Sequence, residues 1–447
     1  MASKPPRSER LAAWLATQRW FGGKSRAIRA VDVDDSIALD GGVLHVLRVT
    51  LDDGEVQRYA APLAAGDTLA DGLDDPRLVR GLAALARDES RATGSAGAIV
   101  GHRTRALPAH LTESVRKLGG EQSNTSVVIG ETLILKHFRR LATGVNPDLE
   151  ITRFLTEVAA FPHTPALAGW LTYEASGAEP ATLAVIQHLV AEARDGWEWM
   201  LGALRADARR ALALPALRRL GEATAGLHLA LARAPGTEPA MTPEPVSDAD
   251  VARWTADVTA QLAAARAAAP RGAEVPSVPA GHLAEALAAL RGRAKSRHHG
   301  DYHLGQTLYR EAAGAWSIID FEGEPLRPLT ERRRKHSPLR DVAGMLRSIA
   351  YAAETVRADG AAAWIDPWEH DARETFLDGY LTEAARAPFL PDTAQAIRRV
   401  IAAFEVEKAA YEVVYEANNR PGWIRIPLAG LLRASRAVRP PQAAGAA

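Results

Sequence analysis

The 447-residue sequence contains no cysteine. Disulfide bonds and thiolate metal sites are therefore excluded, and we expect the protein to work in a reducing, cytoplasmic setting. It also lacks an excess of either charge, because 54 Lys and Arg residues balance 54 Asp and Glu residues, which argues against bulk binding to nucleic acid. No apolar run approaches the ~18–20 residues of a membrane-spanning helix, and residues 1–20 lack the apolar core of a signal peptide.

What the sequence does contain is the composition of a globular protein. Hydrophobic residues make up 47% of the chain and charged residues 24%, and the length exceeds what one compact core usually accommodates. Hydrophobic periodicity predicts a strand-rich start, a small α+β region and then mostly helices. We therefore divide the chain into an N-terminal cap subdomain (1–105), a small α+β lobe (106–190), a helical C-terminal lobe (191–439) and a disordered tail (440–447).

The individual elements are predicted from periodicity, turn residues and capping residues. Predicted helices occupy residues 1–20, 77–87, 147–160, 207–233, 247–268, 280–293, 339–356, 369–386 and 392–419. Predicted strands lie within 30–62, at 115–118, 124–129, 132–137 and 181–189, and in two short pieces at about 302–309 and 316–321.

The two short strands of the helical lobe carry the most informative motifs. The first is His299-Gly-Asp-Tyr-His-Leu-Gly-Gln306, which matches the catalytic-loop form of kinases with Gln in place of Asn; the second is a hydrophobic strand that ends in Asp320-Phe-Glu-Gly. Phosphoryl transfer needs a carboxylate beside the acceptor hydroxyl and oxygen ligands for Mg²⁺. We predict Asp301 as the catalytic base, and Gln306 and Asp320 as the metal ligands.

The small lobe offers the groups that would bind a nucleotide. Lys136 ends an apolar strand, where its charge would neutralise phosphates, and Glu150 on the next helix would pair with it. No GxGxxG motif is present, and the polar segment 119–126 takes its place between two strands; an ordinary hairpin loop is the alternative. By position alone, the end of the strand at 181–189 is the hinge that would contact adenine. The remaining predicted nucleotide-binding residues are Ser123, Asn124, Thr125, Gln187, His188 and Val190.

One face of the long helix at 392–419 is the predicted acceptor surface. Charged and aromatic side chains recur there at three- and four-residue spacing, which places them on one side of a helix. Sugars need such hydrogen-bond partners and aromatic surfaces, although a solvated face with Lys–Glu pairs is the alternative. The residues of this face are Lys408, Tyr411, Glu412, Tyr415, Glu416 and Asn419. Asp301 and His303 would complete the pocket, and His303 has a purely structural role as its alternative.

Five segments together resemble the maltokinase family, which is similar to the kinase-like region fused to some trehalose synthases. They are Trp20-Phe-Gly-Gly-Lys24, His299–Gln306, Asp320-Phe-Glu-Gly-Glu-Pro325, Leu339-Arg-Asp-Val-Ala-Gly-Met-Leu-Arg347 and Tyr415-Glu-Ala-Asn-Asn-Arg-Pro-Gly-Trp423. The resemblance implies the bilobal fold of protein kinases and aminoglycoside phosphotransferases with an added N-terminal cap. It also implies ATP and Mg²⁺ as cofactors, and transfer of phosphate to maltose. The product, maltose 1-phosphate, would feed synthesis of α-glucan and glycogen from trehalose-derived maltose.

Two alternatives stay open at this point. A kinase of the same fold would phosphorylate another acceptor, such as glucosamine, another sugar or an aminoglycoside. A pseudokinase would instead regulate trehalose synthase, although the intact Lys136, Asp301, Gln306 and Asp320 argue against this. In either case trehalose synthase is a plausible partner, because fusion in the family implies functional proximity. We expect neither nucleic acid nor a membrane as a partner.

Overall fold

A computed structural model describes residues 8–24, 26–66, 68–111, 114–119, 123–325, 327–360 and 364–440. Internal contacts divide the chain into two compact units: unit 1 contains residues 1–160 and 165–191, and unit 2 contains 161–164 and 192–447. The predicted boundary at residue 105 lies inside unit 1 and stays a prediction. The predicted disordered tail, from Pro441 onward, lies outside the described residues.

Unit 1 is built on two antiparallel sheets. A three-stranded sheet has the order β1-β2-β3, and a seven-stranded sheet has the order β4-β5-β9-β10-β8-β7-β6. The strands are β1 (Ile28–Leu39), β2 (Gly42–Leu51), β3 (Val56–Ala64), β4 (Arg91–Thr93), β5 (Gly97–Arg103), β6 (Val115–Lys117), β7 (Asn124–Ile129), β8 (Leu133–Phe138), β9 (Leu167–Ala175) and β10 (Ala181–His188). The helices are α1 (Ser8–Thr17), α2 (Pro76–Arg87) and α3 (Pro147–Glu157).

One hydrophobic core joins the two sheets of unit 1. Leu44 and Val46 of β2 pack with Leu78 and Leu82 of α2 and with Leu135 of β8 in a single buried cluster. A second cluster fixes α1 on the outer side of the small sheet. Helix α1, the small sheet and the strands of the larger sheet therefore belong to one compact unit.

Unit 2 is mainly helical and contains two small sheets. Its strands are β11 (Arg194–Asp195), β12 (Glu244–Pro245), β13 (Ala294–Lys295), β14 (Thr307–Arg310) and β15 (Ala315–Ile318). Its helices are α4 (Gly196–Arg205), α5 (Asp207–Arg210), α6 (Ala213–Ala232), α7 (Asp248–Ala268), α8 (Ala280–Ala288), α9 (Leu329–Arg332), α10 (Leu339–Ala358), α11 (Ile365–Glu383), α12 (Ala394–Asn419) and α13 (Arg425–Ala437). Strands β14 and β15 form the hairpin that carries both predicted catalytic motifs. The predicted α+β class is thus confirmed.

Most predicted elements are present, and the departures have local causes. The helix predicted at 207–233 is two helices, with a break at Ala211–Leu212. Pro215 lacks an N–H and its ring would clash with the carbonyl four residues earlier, at Ala211, so one continuous helix is not possible. Helix α11 begins at Ile365 and not at 369, because Pro367 is tolerated in a first helical turn. Helices α4 and α13 were not predicted.

Among the helices that the structure describes, none combines the length and the apolar character that crossing a bilayer would require.

Candidate functional site

The predicted catalytic segment of unit 2 lies at the base of the β14–β15 hairpin. His299 Nε2 lies 2.9 Å from the carbonyl oxygen of Ile319, and the Ile319 N–H donates to the carbonyl of Gln306 at 3.0 Å. These bonds hold the two motifs side by side. Asp320 follows with a φ of 65°, a backbone conformation that costs energy for a residue with a Cβ and often occurs at functional sites.

Asp341, in the first turn of α10, binds the backbone of the catalytic loop. Its carboxylate accepts hydrogen bonds from the backbone N–H groups of His299 at 2.7 Å and Gly300 at 3.0 Å, and from the ring of His228 at 3.1 Å. Burial favours the neutral acid, but the neighbouring histidines His298, His228 and His299 outweigh it and hold the pKa of Asp341 far below its ordinary value. Asp341 is therefore an anion dedicated to shaping the loop that presents Asp301.

Lys408 on α12 contacts the predicted base directly. Its Nζ lies 3.0 Å from Asp301 Oδ1 and 3.4 Å from Glu324 Oε1, and both Lys408 and Asp301 are about four-fifths buried. Burial alone would lower the pKa of Lys408, but the two carboxylates raise it above its ordinary value. The structure thus places Lys408 beside Asp301, in a cavity that Tyr411 also lines.

A network of ion pairs forms the opposite wall of this cavity. Arg340 of α10 contacts both carboxylate oxygens of Glu407, at 3.0 and 3.2 Å, and Arg327 contacts Glu324 and Glu407. Lys408, Arg340 and Arg327 together overcome the burial of Glu324 and lower its pKa. Sequence reasoning missed Arg340, Asp341 and Glu407 as site residues. For Arg340 and Asp341 the available signal is the segment Leu339–Arg347, which carries the family resemblance.

Gln306 and Asp320 are chemically suited to hold Mg²⁺. An amide oxygen and a carboxylate are the hard oxygen ligands that Mg²⁺ prefers. Gln306 ends the turn Leu304–Gln306, Asp320 follows β15, and the pairing of Thr307 with Ile318 brings the two together. The donor set fits a metal ion, and the assignment of these ligands stays a prediction.

The predicted acceptor face of α12 separates into two groups. Tyr411 faces the Asp301 cavity with Lys408, and Tyr415 stacks on Tyr411 with a centroid distance of 6.4 Å and is 43% exposed. Glu412 instead contacts the buried Arg347 at 2.8 Å, and Glu416 contacts Arg420 and the hydroxyl of Tyr351. The Asn419 amide donates to the Tyr415 carbonyl within the same helix. Contact with a substrate stays a prediction for all of them.

His303 lies in the loop between Asp301 and Gln306. Its Nδ1 accepts a hydrogen bond from the Gly305 N–H at 3.1 Å and caps the turn Leu304–Gln306. Burial lowers the pKa of His303 below its ordinary value, so the neutral ring is the favoured form. The structure thus shows the structural role that was the alternative for His303, and leaves its other ring nitrogen available for a substrate role.

Buried histidines make the stability of the protein sensitive to acid. Burial lowers the pKa of His298 to about 4 and that of His137 to about 3, from an ordinary 6.5. Below about pH 6.5 the unfolded chain therefore binds protons that the folded protein does not bind. The contribution of these histidines to the unfolding free energy is fully present above that pH and falls as the pH drops toward 4. We expect each histidine to cost about 2 kcal/mol of unfolding free energy between pH 6.5 and 5.

Urea denaturation at several pH values would measure this effect. His298→Gln, which removes one titrating ring, should make the decrease between pH 6.5 and 5 shallower than in the wild type. An unfolding free energy that is constant across this range would contradict the prediction.

The predicted nucleotide residues all lie in unit 1. Lys136 of β8 contacts Asp148 Oδ2 at 3.1 Å, and Asp148 is buried in the first turn of α3. Glu150, the predicted partner of Lys136, lies two residues further along the same turn. Asn146 caps this helix by accepting from the Asp148 N–H, and Pro147 occupies its first position, as the sequence predicts.

The other predicted nucleotide residues differ in their exposure. Ser123 is exposed and Asn124 is half-buried, whereas Thr125 is buried and its hydroxyl accepts from the Arg139 side chain at 2.9 Å. Gln187 is buried at the end of β10, and the N–H groups of His188 and Leu189 donate to the carbonyls of Ala166 and Thr132. Val190, the last of the predicted hinge residues, follows directly. Gly120–Gln122 of the predicted phosphate segment lie outside the described residues.

Comparisons with known proteins show which kinases the chain is similar to. Residues 14–93 match the maltokinase N-terminal cap domain. A glucosamine kinase of Streptacidiphilus jiangxiensis is 31% identical over 408 residues, which cover 87% of this chain and 88% of that protein. A glucosamine kinase of Mycolicibacterium smegmatis is 29% identical over 71% of this chain and 78% of its own. A solved glucosamine kinase in complex with glucosamine, ADP and inorganic phosphate matches 96% of this chain and 99% of its own, with a TM-score of 0.68 at 25% identity.

Proposed function

The chain belongs to the kinase family of the Streptacidiphilus glucosamine kinase. From this premise we propose that it transfers the γ-phosphate of ATP to a sugar hydroxyl, with maltose as acceptor and maltose 1-phosphate as product. The observation that carries the proposal is the pair formed by Asp301 and Lys408 at an open polar cavity on the catalytic loop. In the cell, the product would feed α-glucan synthesis, and trehalose synthase would supply the maltose.

In this mechanism Asp301 orients the acceptor hydroxyl and takes its proton. Lys408 contacts Oδ1 of Asp301, and we assign Oδ2 to the hydroxyl. The ammonium of Lys408 lies 3.0 Å from Oδ1 and holds the carboxylate in one orientation. Lys136 would neutralise phosphate charge, while Gln306 and Asp320 would hold Mg²⁺, which screens the transferred phosphoryl group when it is bound.

The charge of the cavity in unit 2 supports maltose over the amino sugar named for the relatives. Three described carboxylates of the cavity are already compensated by cations: Asp301 by Lys408, Glu324 by Arg327, and Glu407 by Arg340. A fourth, Asp341, is occupied by the donors of the catalytic loop. A positively charged glucosamine would therefore find no uncompensated anion among them, whereas a neutral sugar needs only hydrogen bonds and an aromatic surface.

A second cavity adjoins the first and shares Gly300, Glu324, Arg327, Arg340 and Glu407 with it. Glucosamine is the second candidate acceptor, because two relatives that each match more than two-thirds of this chain are glucosamine kinases.

A panel of sugars decides between these acceptors. We expect the purified protein with Mg-ATP to phosphorylate maltose, with the product identified as maltose 1-phosphate by NMR, and to act on glucosamine at least tenfold less efficiently. A preference for glucosamine would replace maltose as the acceptor and leave the kinase in place. ATP binding without turnover of any sugar would favour a pseudokinase that regulates a partner such as trehalose synthase.

A further inference from the structure

Asp71 of unit 1 is an acidic residue that the proposed reaction does not use. It precedes the short turn Gly72–Asp74, and its Oδ1 accepts a hydrogen bond from the Leu73 N–H at 3.2 Å. Its Oδ2 contacts Lys117 Nζ at 2.9 Å and the guanidinium of Arg139. The side chain is only 8% exposed. The two oxygens therefore have different partners: Oδ1 accepts from the N–H of the turn, and Oδ2 contacts two cations.

The two cations lie next to the strands that border the predicted phosphate segment. Lys117 is the last residue of β6 and lies two residues before the start of segment 119–126. Arg139 follows β8, and its Nε donates to the hydroxyl of Thr125, the second residue of β7, at 2.9 Å. One carboxylate thus connects to both strand ends, at one end through Lys117 and at the other through Arg139 and Thr125.

The charges in this cluster are not interchangeable with apolar packing. The Arg139 side chain has no solvent exposure, and a buried guanidinium without a carboxylate is strongly unfavourable. Burial would favour neutral Asp71, but Arg139 and Lys117 outweigh it and lower its pKa, so the carboxylate is ionised at neutral pH. The ring of Trp20 lies 4.8 Å from the Arg139 guanidinium carbon, which adds a second contact from the first residues of the chain.

We infer that Asp71 is a positioning residue through which the cap orders the nucleotide-binding strands. By holding Lys117 and Arg139, it fixes the end of β6 and the start of β7, and so preorganises Ser123 and Asn124 for nucleotide phosphates. A segment ordered in advance loses less conformational entropy when its ligand binds. The inference rests on the proposed function of these residues in nucleotide binding, and it assigns the cap a role in ATP affinity rather than in acceptor choice.

A simple stabilising role for the cap is the competing explanation. The shared hydrophobic core already joins the two sheets of unit 1, and it would do so with or without this ion cluster. The two explanations differ in what they predict for Lys117, whose side chain is 34% exposed. Its loss should leave the core intact, yet under our inference it should weaken the binding of ATP.

The experiment compares Lys117→Met and Asp71→Asn with the control Asp74→Asn. Asp74 also contacts Lys117, at 3.1 Å, but is 62% exposed, so its loss leaves the buried contact in place. Isothermal titration of the full-length protein with Mg-ATP, without sugar, measures nucleotide affinity, and thermal denaturation is recorded in parallel. We expect ATP affinity to fall about three- to tenfold in Lys117→Met, with unchanged melting temperature and unchanged KM for the sugar, and to match the wild type in Asp74→Asn.

Each outcome separates this inference from the proposed acceptor. Wild-type ATP affinity in a folded Lys117→Met would overturn the inference, and so would equal losses of ATP and sugar affinity. If the wild type binds ATP but phosphorylates no sugar, the acceptor proposal fails and the titration still tests Asp71. If the wild type binds no ATP, both fail. Asp71→Glu, which keeps the charge, should retain more ATP affinity than Asp71→Asn.

Discussion

Replacement of Asp301 by Asn should reduce the turnover number by about 10²–10⁴-fold, the usual contribution of a general base in a kinase-like site. The amide cannot take a proton from the acceptor, although it keeps the size of the side chain. Affinity for Mg-ATP should stay within about twofold, because the predicted phosphate-binding residues are elsewhere in the chain. A coupled ADP-release assay with maltose, together with titration by Mg-ATP, measures both quantities.

The matched control for this change is Asp359→Asn. The substitution is the same Asp-to-Asn change, but Asp359 is half-exposed at the end of α10, where it pairs with Arg205. Its variant should keep wild-type turnover, because an exposed ion pair contributes only ~0–1 kcal/mol to stability. Asp301→Asn with wild-type turnover would show that another group is the base. Loss of ATP affinity along with turnover would point to misfolding or to a role in metal binding.

The sequence predicted the catalytic hairpin well because its chemistry is local. Asp301, Gln306 and Asp320 stand in two adjacent motifs, and the short connection between β14 and β15 makes their proximity unavoidable. The same holds for α3, whose Asn146 and Pro147 mark its start in the sequence. For a hairpin and for a capped helix start, spacing and residue type were enough.

Partners distant in sequence could not be predicted in this way. Glu407 and Arg340 are 67 residues apart, and Arg139 and Asp71 are 68 apart. Each of these side chains taken alone looks like an ordinary solvated charge, and only tertiary packing shows that they face one another. The assignment of Glu412 to a substrate face has the same origin: helical spacing gives the side of the helix but not the identity of its neighbour, which is Arg347.

Helix α4 was missed for a different reason. Its sequence begins with Gly196 and contains two tryptophans in its first turn, which lowers its helix propensity and weakens its hydrophobic periodicity. Tertiary packing overrides this, because Trp199 is fully buried against Tyr309 and Trp316 of the catalytic hairpin. The helix is therefore part of the support for the catalytic motifs, a role that no local pattern reveals.

Removal of the Asp341 carboxylate should have the largest effect on stability of any change near the site. In Asp341→Ala, the N–H groups of His299 and Gly300 and the ring of His228 would lose their buried acceptor. Breaking such a buried, charged network typically costs about 3–5 kcal/mol. The loop that presents Asp301 would also relax, and displacement of a catalytic group by about 1 Å can lower turnover by about 10²-fold. Urea denaturation and the coupled assay measure the two effects separately.

Asp378→Ala provides the comparison for this last variant. Asp378 is also helical, but it is 65% exposed in α11, where it pairs with Arg218, and its loss should change the unfolding free energy by no more than about 0.5 kcal/mol. Asp341→Asn, which keeps one acceptor oxygen, should fall between the wild type and Asp341→Ala in both stability and turnover. If Asp341→Ala unfolded at the wild-type urea concentration, the catalytic loop would have to be held by its remaining contacts, chiefly His299 with Ile319 and Leu304 with Ser348. A loop that kept its shape should also keep its turnover. If Asp341 acts by positioning Asp301, Asp341→Ala should therefore lower both the unfolding free energy and the turnover number.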